Sequence, residues 1–140
     1  MLLALLCLTG ARAQDADESS AANTSTVVQV TGTWTGTDTE GGGSPGPMML
    51  ILTQNGKSIH GNFSVTTGDN TPTGNVHGKI SKDNLKLTFV STGGANHACS
   101  AKVLATVDPT AMPPTMTGTF HVIGNKQHCK GSGDFNLTQQ

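Results

Sequence analysis

Two cysteines of this chain each stand close to a histidine: His97 lies two residues before Cys99, and His128 directly precedes Cys129. Imidazole nitrogen and thiolate sulfur are ligands for zinc and copper, at about 2.0–2.1 Å for Zn–N and about 2.3 Å for Zn–S. His97, Cys99 and Cys129 share an inward strand parity and form a metal-binding alternative, whereas His128 has the opposite parity. Their spacing matches no compact metal motif. The competing chemistry is a disulfide between Cys99 and Cys129, the usual state of a cysteine pair in an exported protein, worth about 3–4 kcal/mol for a loop of about thirty residues. If both cysteines sit on strands with one strand between them, a flat sheet holds them about 9–10 Å apart, beyond bridging range. The intervening strand must then end or bend near Gly124.

Other chemistry is sparse. The Gly-x-Ser-x-Gly match from Gly42 to Gly46 reads as a flexible Gly- and Pro-rich loop and not as a strand-to-helix elbow, and the chain has no His-Glu-x-x-His pair and no phosphate-cradling glycine loop leading into a helix. No acid is predicted inside the fold, so no carboxylate pair is placed for glycoside hydrolysis. Catalytic residues and cofactors are assigned to none, and an enzyme reading survives only with a metal at the cysteine and histidine end. His60, His77 and His121 are predicted to point outward. His60 and His77 lie on neighbouring strands in a diagonal offset, as solvated surface groups.

These groups are positioned by a two-residue alternation that runs from Val28 to Leu137 and is re-phased at each turn. Strand side chains alternate between faces, and Trp34, Phe63, Phe89, Phe120 and Phe135, all the aromatics of the chain, fall on one side. Gly, Pro, Asn and Asp clusters separate eight alternating runs, about 27–37, 48–54, 57–65, 73–80, 84–91, 98–107, 115–123 and 128–138. The fold class is all-β: an eight-stranded antiparallel up-and-down meander closed into a small barrel. Asn55-Gly56 is a hairpin signal that pairs Leu52 with Ile59 and Leu50 with Gly61. The same arithmetic places Phe120 opposite Gly131 and Gly118 opposite Gly133. The long connections 38–47, 66–72 and 92–97 follow strands one, three and five, so they share one end of the barrel, where a ligand mouth is expected.

Eight inward glycines, Gly32, Gly36, Gly61, Gly74, Gly78, Gly118, Gly131 and Gly133, take side-chain volume out of an interior just wide enough for one small ligand. The alternative is that they relieve crowding where strands bend. On the first reading Trp34, Gly36, Met48, Phe63, Val65 and Val122 line a site for a small apolar molecule near the three-loop end. The chain is then a binding module. On the second it is a structural or interaction protein of the cell envelope or exterior, using its Thr- and Asn-rich surface or the outward pair Met49 and Ile51.

Gly32-Thr33-Trp34 on the first strand of such a meander resembles the calycin barrels, which include the lipocalins and avidins. The resemblance implies that Trp34 plugs one barrel end against a basic residue of a late strand. Lys130 has outward parity, so no partner is assigned. The first strand and the run from Leu50 to Ser64 look most like avidin-type barrels. Those proteins hold biotin between several Trp side chains with help from a Tyr, and this chain has one Trp and no Tyr, so biotin binding is not carried over. The chain is also similar to secreted bacterial barrels of uncharacterised role.

Residues 1–13 read as a signal peptide, with a Leu- and Ala-rich stretch before Ala11-Arg12-Ala13. This stretch is too short to span a bilayer. Residues 14–26 read as a disordered polar spacer and 27–140 as the barrel domain. The expected location is secreted, periplasmic or extracellular. From Val27 onward seven Lys meet six acids with no Arg and no cluster of either sign. Nucleic acid and anionic membrane surfaces are not expected as partners, because both require concentrated positive charge.

Overall fold

The computed structural model describes residues 26–66, 68–94, 98–124 and 126–140. The leader, nearly all of the spacer and His97 lie outside the described residues. Eight strands follow one another in chain order: β1 (Gly32–Glu40), β2 (Gly46–Asn55), β3 (Ser58–Val65), β4 (Thr73–Ser81), β5 (Asn84–Gly93), β6 (Ser100–Asp108), β7 (Thr115–Ile123) and β8 (Gly131–Gln139). Each pairs antiparallel with the next, and β1 pairs with β8 to close the barrel. Closure leaves no free sheet edge. No helix among the described residues is long and apolar enough to cross a membrane.

The alternation decides what is inside. Trp34, Leu50, Met116 and Leu137 are fully enclosed, and Phe63, Phe89 and Phe135 are buried. Phe120 is half-buried, while Lys86 and Asp134 face solvent. Met49, Ile51, Leu104 and Ile123 are exposed, as their parity requires. Met49 and Ile51 have Thr35, Thr33, Ser64 and Asn62 as cross-strand neighbours. Two apolar side chains set among polar ones fall far short of the area that marks a docking face.

Two hairpins differ from the expected register by two residues, which keeps every side chain on its face. Asn55 pairs with Ser58, so the turn is built on Gly56 and Lys57, with Gly56 at φ +60°. Gly therefore takes the first central position rather than the second. Likewise Phe120 lies opposite Gly133 and Gly118 opposite Phe135. His60 and His77 face each other directly, not diagonally, and both are exposed.

The first strand begins five residues later than expected. Val27 to Thr31 instead cross the barrel end at which β1 begins and the β2–β3, β4–β5 and β6–β7 connections turn. Val28 N–H donates to the Lys82 carbonyl at 3.1 Å, and Val30 N–H donates to Gln54 Oε1 at 2.9 Å. Val30 is completely buried there. Trp34 stands just behind this segment, and its Nε1–H donates to the Val30 carbonyl at 2.9 Å. That end of the barrel is therefore stoppered.

Candidate functional site

At the other end the interior is open. The connections after β1, β3, β5 and β7 all meet there, one more than expected because β8 starts at Gly131 and lengthens the fourth. A cavity of about 290 Å³ lies beneath them, walled by Met48, Phe63, Val65, Phe89, Phe120 and Val122. The Phe63 and Phe89 rings stack at 4.9 Å between centroids with their planes 16° apart. Four of the six expected lining residues, Met48, Phe63, Val65 and Val122, thus come together.

Trp34 and Gly36 do not line it. Trp34 belongs to the closed end, so its emission does not report on the cavity. Gly36 shows why the strand glycines are there: a Cβ on it would lie 2.0 Å from the Asn136 carbonyl oxygen. The neighbouring backbone occupies the space, as it does at Gly61 and Gly78. These glycines let strands approach closely at bends and do not hollow out the interior.

The expectation that no acid enters the barrel is overturned. The alternation carrying Trp34 inward continues through β1, and Asp38, four residues on, lines the cavity at 4% exposure. Its cross-strand neighbours are Gly46 and Phe135. The polar run Asp38-Thr39-Glu40 before a glycine cluster resembles a loop in sequence, which hid it. Its Oδ1 is buried and has no hydrogen-bond partner among the described residues. Burial pushes its pKa from the ordinary carboxylate range up to about 6; its own backbone N–H opposes that rise and the nearby Glu40 charge adds to it. Ser91, also buried in the cavity lining but on β5, is different: its Oγ–H has the Gly93 carbonyl at 3.1 Å as acceptor. Glu40, His128 and Lys130 complete the rim.

Cys99 and Cys129 form a disulfide, with Cα atoms 5.3 Å apart. The expected separation is avoided because both residues lie beyond their strands: β6 starts at Ser100, β7 stops at Ile123 and β8 starts at Gly131. The bridge then passes over the end of β7 at Gly124, where a Cβ would lie 2.5 Å from the Cys129 Cβ and 2.8 Å from its Sγ. The ligand atoms of Cys99, Cys129 and His128 all lie within 4.8 Å of one another. Bridged sulfurs are not thiolates, so the His97, Cys99 and Cys129 metal alternative loses both of its sulfur ligands. Lys130 is exposed at the rim, at the opposite end from Trp34, and is not its partner.

A prediction follows from the tight passage at Gly124. Gly124→Val places side-chain atoms where Cys129 now sits, so a free-thiol assay of the denatured, oxidised variant reads close to two thiols per barrel domain. The parent reads none. An unchanged zero in the variant would show that the bridge does not need the glycine.

No family model matches the chain, and no curated protein matches it. Among solved structures, the redesigned β-barrel mFAP1 bound to DFHBI aligns with a TM-score of 0.62 and 17% identity, covering 78% of this chain and 94% of that one. A second redesigned β-barrel aligns with a TM-score of 0.58 and 14% identity, covering 79% of this chain and 90% of that one. At these identities the likeness is one of fold: this chain is similar to small closed antiparallel barrels.

Proposed function

We propose that the protein is an exported binding module that takes one small, largely apolar molecule into the cavity at its loop-bearing end. The observation that carries this reading is the cavity itself: about 290 Å³ of space above a packed, stoppered half-barrel. A dry apolar cavity of about 150 Å³ admits benzene, so this one has space for a single ring with a short tail. Its aromatic walls and few polar groups are the usual make-up of a small-molecule site. The redesigned barrel bound to DFHBI has the same architecture and holds a small molecule, which supports the reading by analogy only. The disulfide is at home in an oxidising compartment, in keeping with the leader read in residues 1–13.

The test is an NMR titration of methyl-labelled protein with 2-phenylethanol. Saturable shifts are expected in the Met48, Val65 and Val122 methyls. Ala101 also lines the cavity, and Ala101→Phe fills it, so the shifts disappear in that variant. Methyl resonances that stay unmoved in the parent up to the solubility limit would overturn the binding reading.

A further inference from the structure

Resting on that reading, we infer that the ligand carries a protonated amine: the cavity is built for a small aryl- or alkylammonium ion whose N–H groups donate to Asp38. A carboxyl that is 4% exposed, with an unpartnered Oδ1, is an expensive group to enclose, because that oxygen has given up water without receiving a donor in return, and the carboxyl's own backbone N–H offsets only part of the loss. Ser91, enclosed in the lining of the same cavity, has its hydrogen-bond acceptor within the chain. No described residue supplies a donor to Asp38 Oδ1, so the missing partner comes from whatever occupies the cavity.

Charge selects among donors. A neutral hydroxyl or amide would satisfy one lone pair and leave the negative charge uncompensated in an apolar chamber. An ammonium supplies a donor and the opposite charge together, and charge-assisted hydrogen bonds are roughly twice as strong as neutral ones. A carboxylate ligand would face both Asp38 and Glu40 and be repelled. His128 and Lys130 also border the cavity, but both are exposed to solvent, where the Lys130 charge is well screened. The stacked Phe63 and Phe89 rings give the organic part of the ligand its apolar surface.

Three compounds of nearly equal size separate these possibilities: 2-phenylethylamine, 2-phenylethanol and phenylacetate, titrated at pH 7.5 into the parent protein, Asp38→Asn and Ala101→Phe. The amine is expected to bind about ten- to a hundredfold more tightly than the alcohol, the range for one hydrogen bond to a charged group. Asp38→Asn keeps the shape of the side chain and removes its charge, so it abolishes that preference and brings the amine to the affinity of the alcohol. Ala101→Phe blocks both compounds. Equal affinities for amine and alcohol in the parent, a preference that survives Asp38→Asn, or tightest binding of phenylacetate would each overturn the amine inference and leave the binding module standing. Loss of all binding, alcohol included, would overturn both.

Discussion

Trp34→Ala lowers the free energy of unfolding by about 3–5 kcal/mol, the range for emptying an aromatic position in a core. The indole is completely enclosed, so none of its lost contacts is replaced by water at the surface. The deletion also removes the donor to the Val30 carbonyl and undercuts the segment that stoppers the barrel. Since small domains are stable by about 5–15 kcal/mol, this single change takes a large share of the total. Trp34→Phe keeps a ring and loses only the N–H and part of the volume, so it costs about 1–3 kcal/mol. Urea denaturation of the three proteins measures both differences. A loss below about 1 kcal/mol for the alanine variant would contradict the plug assignment. Trp34 does not line the cavity, so Trp34→Phe should still bind 2-phenylethanol like the parent.

The parts of this molecule legible in its sequence are those governed by parity. Period-two alternation placed the aromatics on the inner face, with Phe120 only half enclosed, put the bulk of the charge outside and identified eight strands, because each depends only on neighbouring residues. Register was legible to within two residues. The hairpin at Asn55 could turn on Asn55-Gly56 or on Gly56-Lys57, and both choices keep Leu50 and Leu52 inside. Glycine function was not legible, since an inward glycine leaves space or admits a neighbouring strand according to a distance no local pattern contains. At Gly36 the Asn136 carbonyl settles the matter. The disulfide was legible as a pair, as was the need for β7 to end near Gly124; that β6 and β8 start only after their cysteines was not.

Asp38 is a buried inward acid that broke the pattern, and the break has a physical reason. An acid at an inward position contradicts the rule that places apolar groups there, so the sequence suggests that the strand has already ended. The structure extends the strand and accepts the cost. Positions where local preference and final environment conflict in this way concentrate at functional sites. The same conflict explains why the cavity's apolar residues were legible and its polar anchor was not.

That cost is measurable as a dependence of stability on pH. Desolvation raises the Asp38 pKa to about 6 in the folded protein, against an ordinary value of 3.8. The folded chain therefore holds this proton more tightly than the unfolded chain does. Stability from this group is fully present below about pH 4 and is lost as pH rises through about 6. The difference amounts to about 3 kcal/mol. Asp38→Asn removes the charge but retains a polar group without a partner, so at pH 7 it gains only part of this, about 1–3 kcal/mol. At pH 4, where the parent carboxyl is largely protonated, the two proteins should be about equally stable. Asp108 works in the opposite sense: hydrogen bonds from the Thr110 hydroxyl and backbone N–H lower its pKa, so its contribution is lost as pH falls. Repulsion from the Glu40 charge is part of the Asp38 shift and is relieved with it by the substitution. The contribution of Asp108, at the other end of β6 from the cavity, cancels in the difference between parent and variant, which is therefore the quantity to follow by urea denaturation at several pH values from 4 to 7. A difference that stays flat across that range would show that the Asp38 carboxyl keeps its water and is not held ready for a partner. A variant that is more stable at neutral pH yet no longer prefers the amine would instead link the destabilisation and the selectivity to one carboxylate.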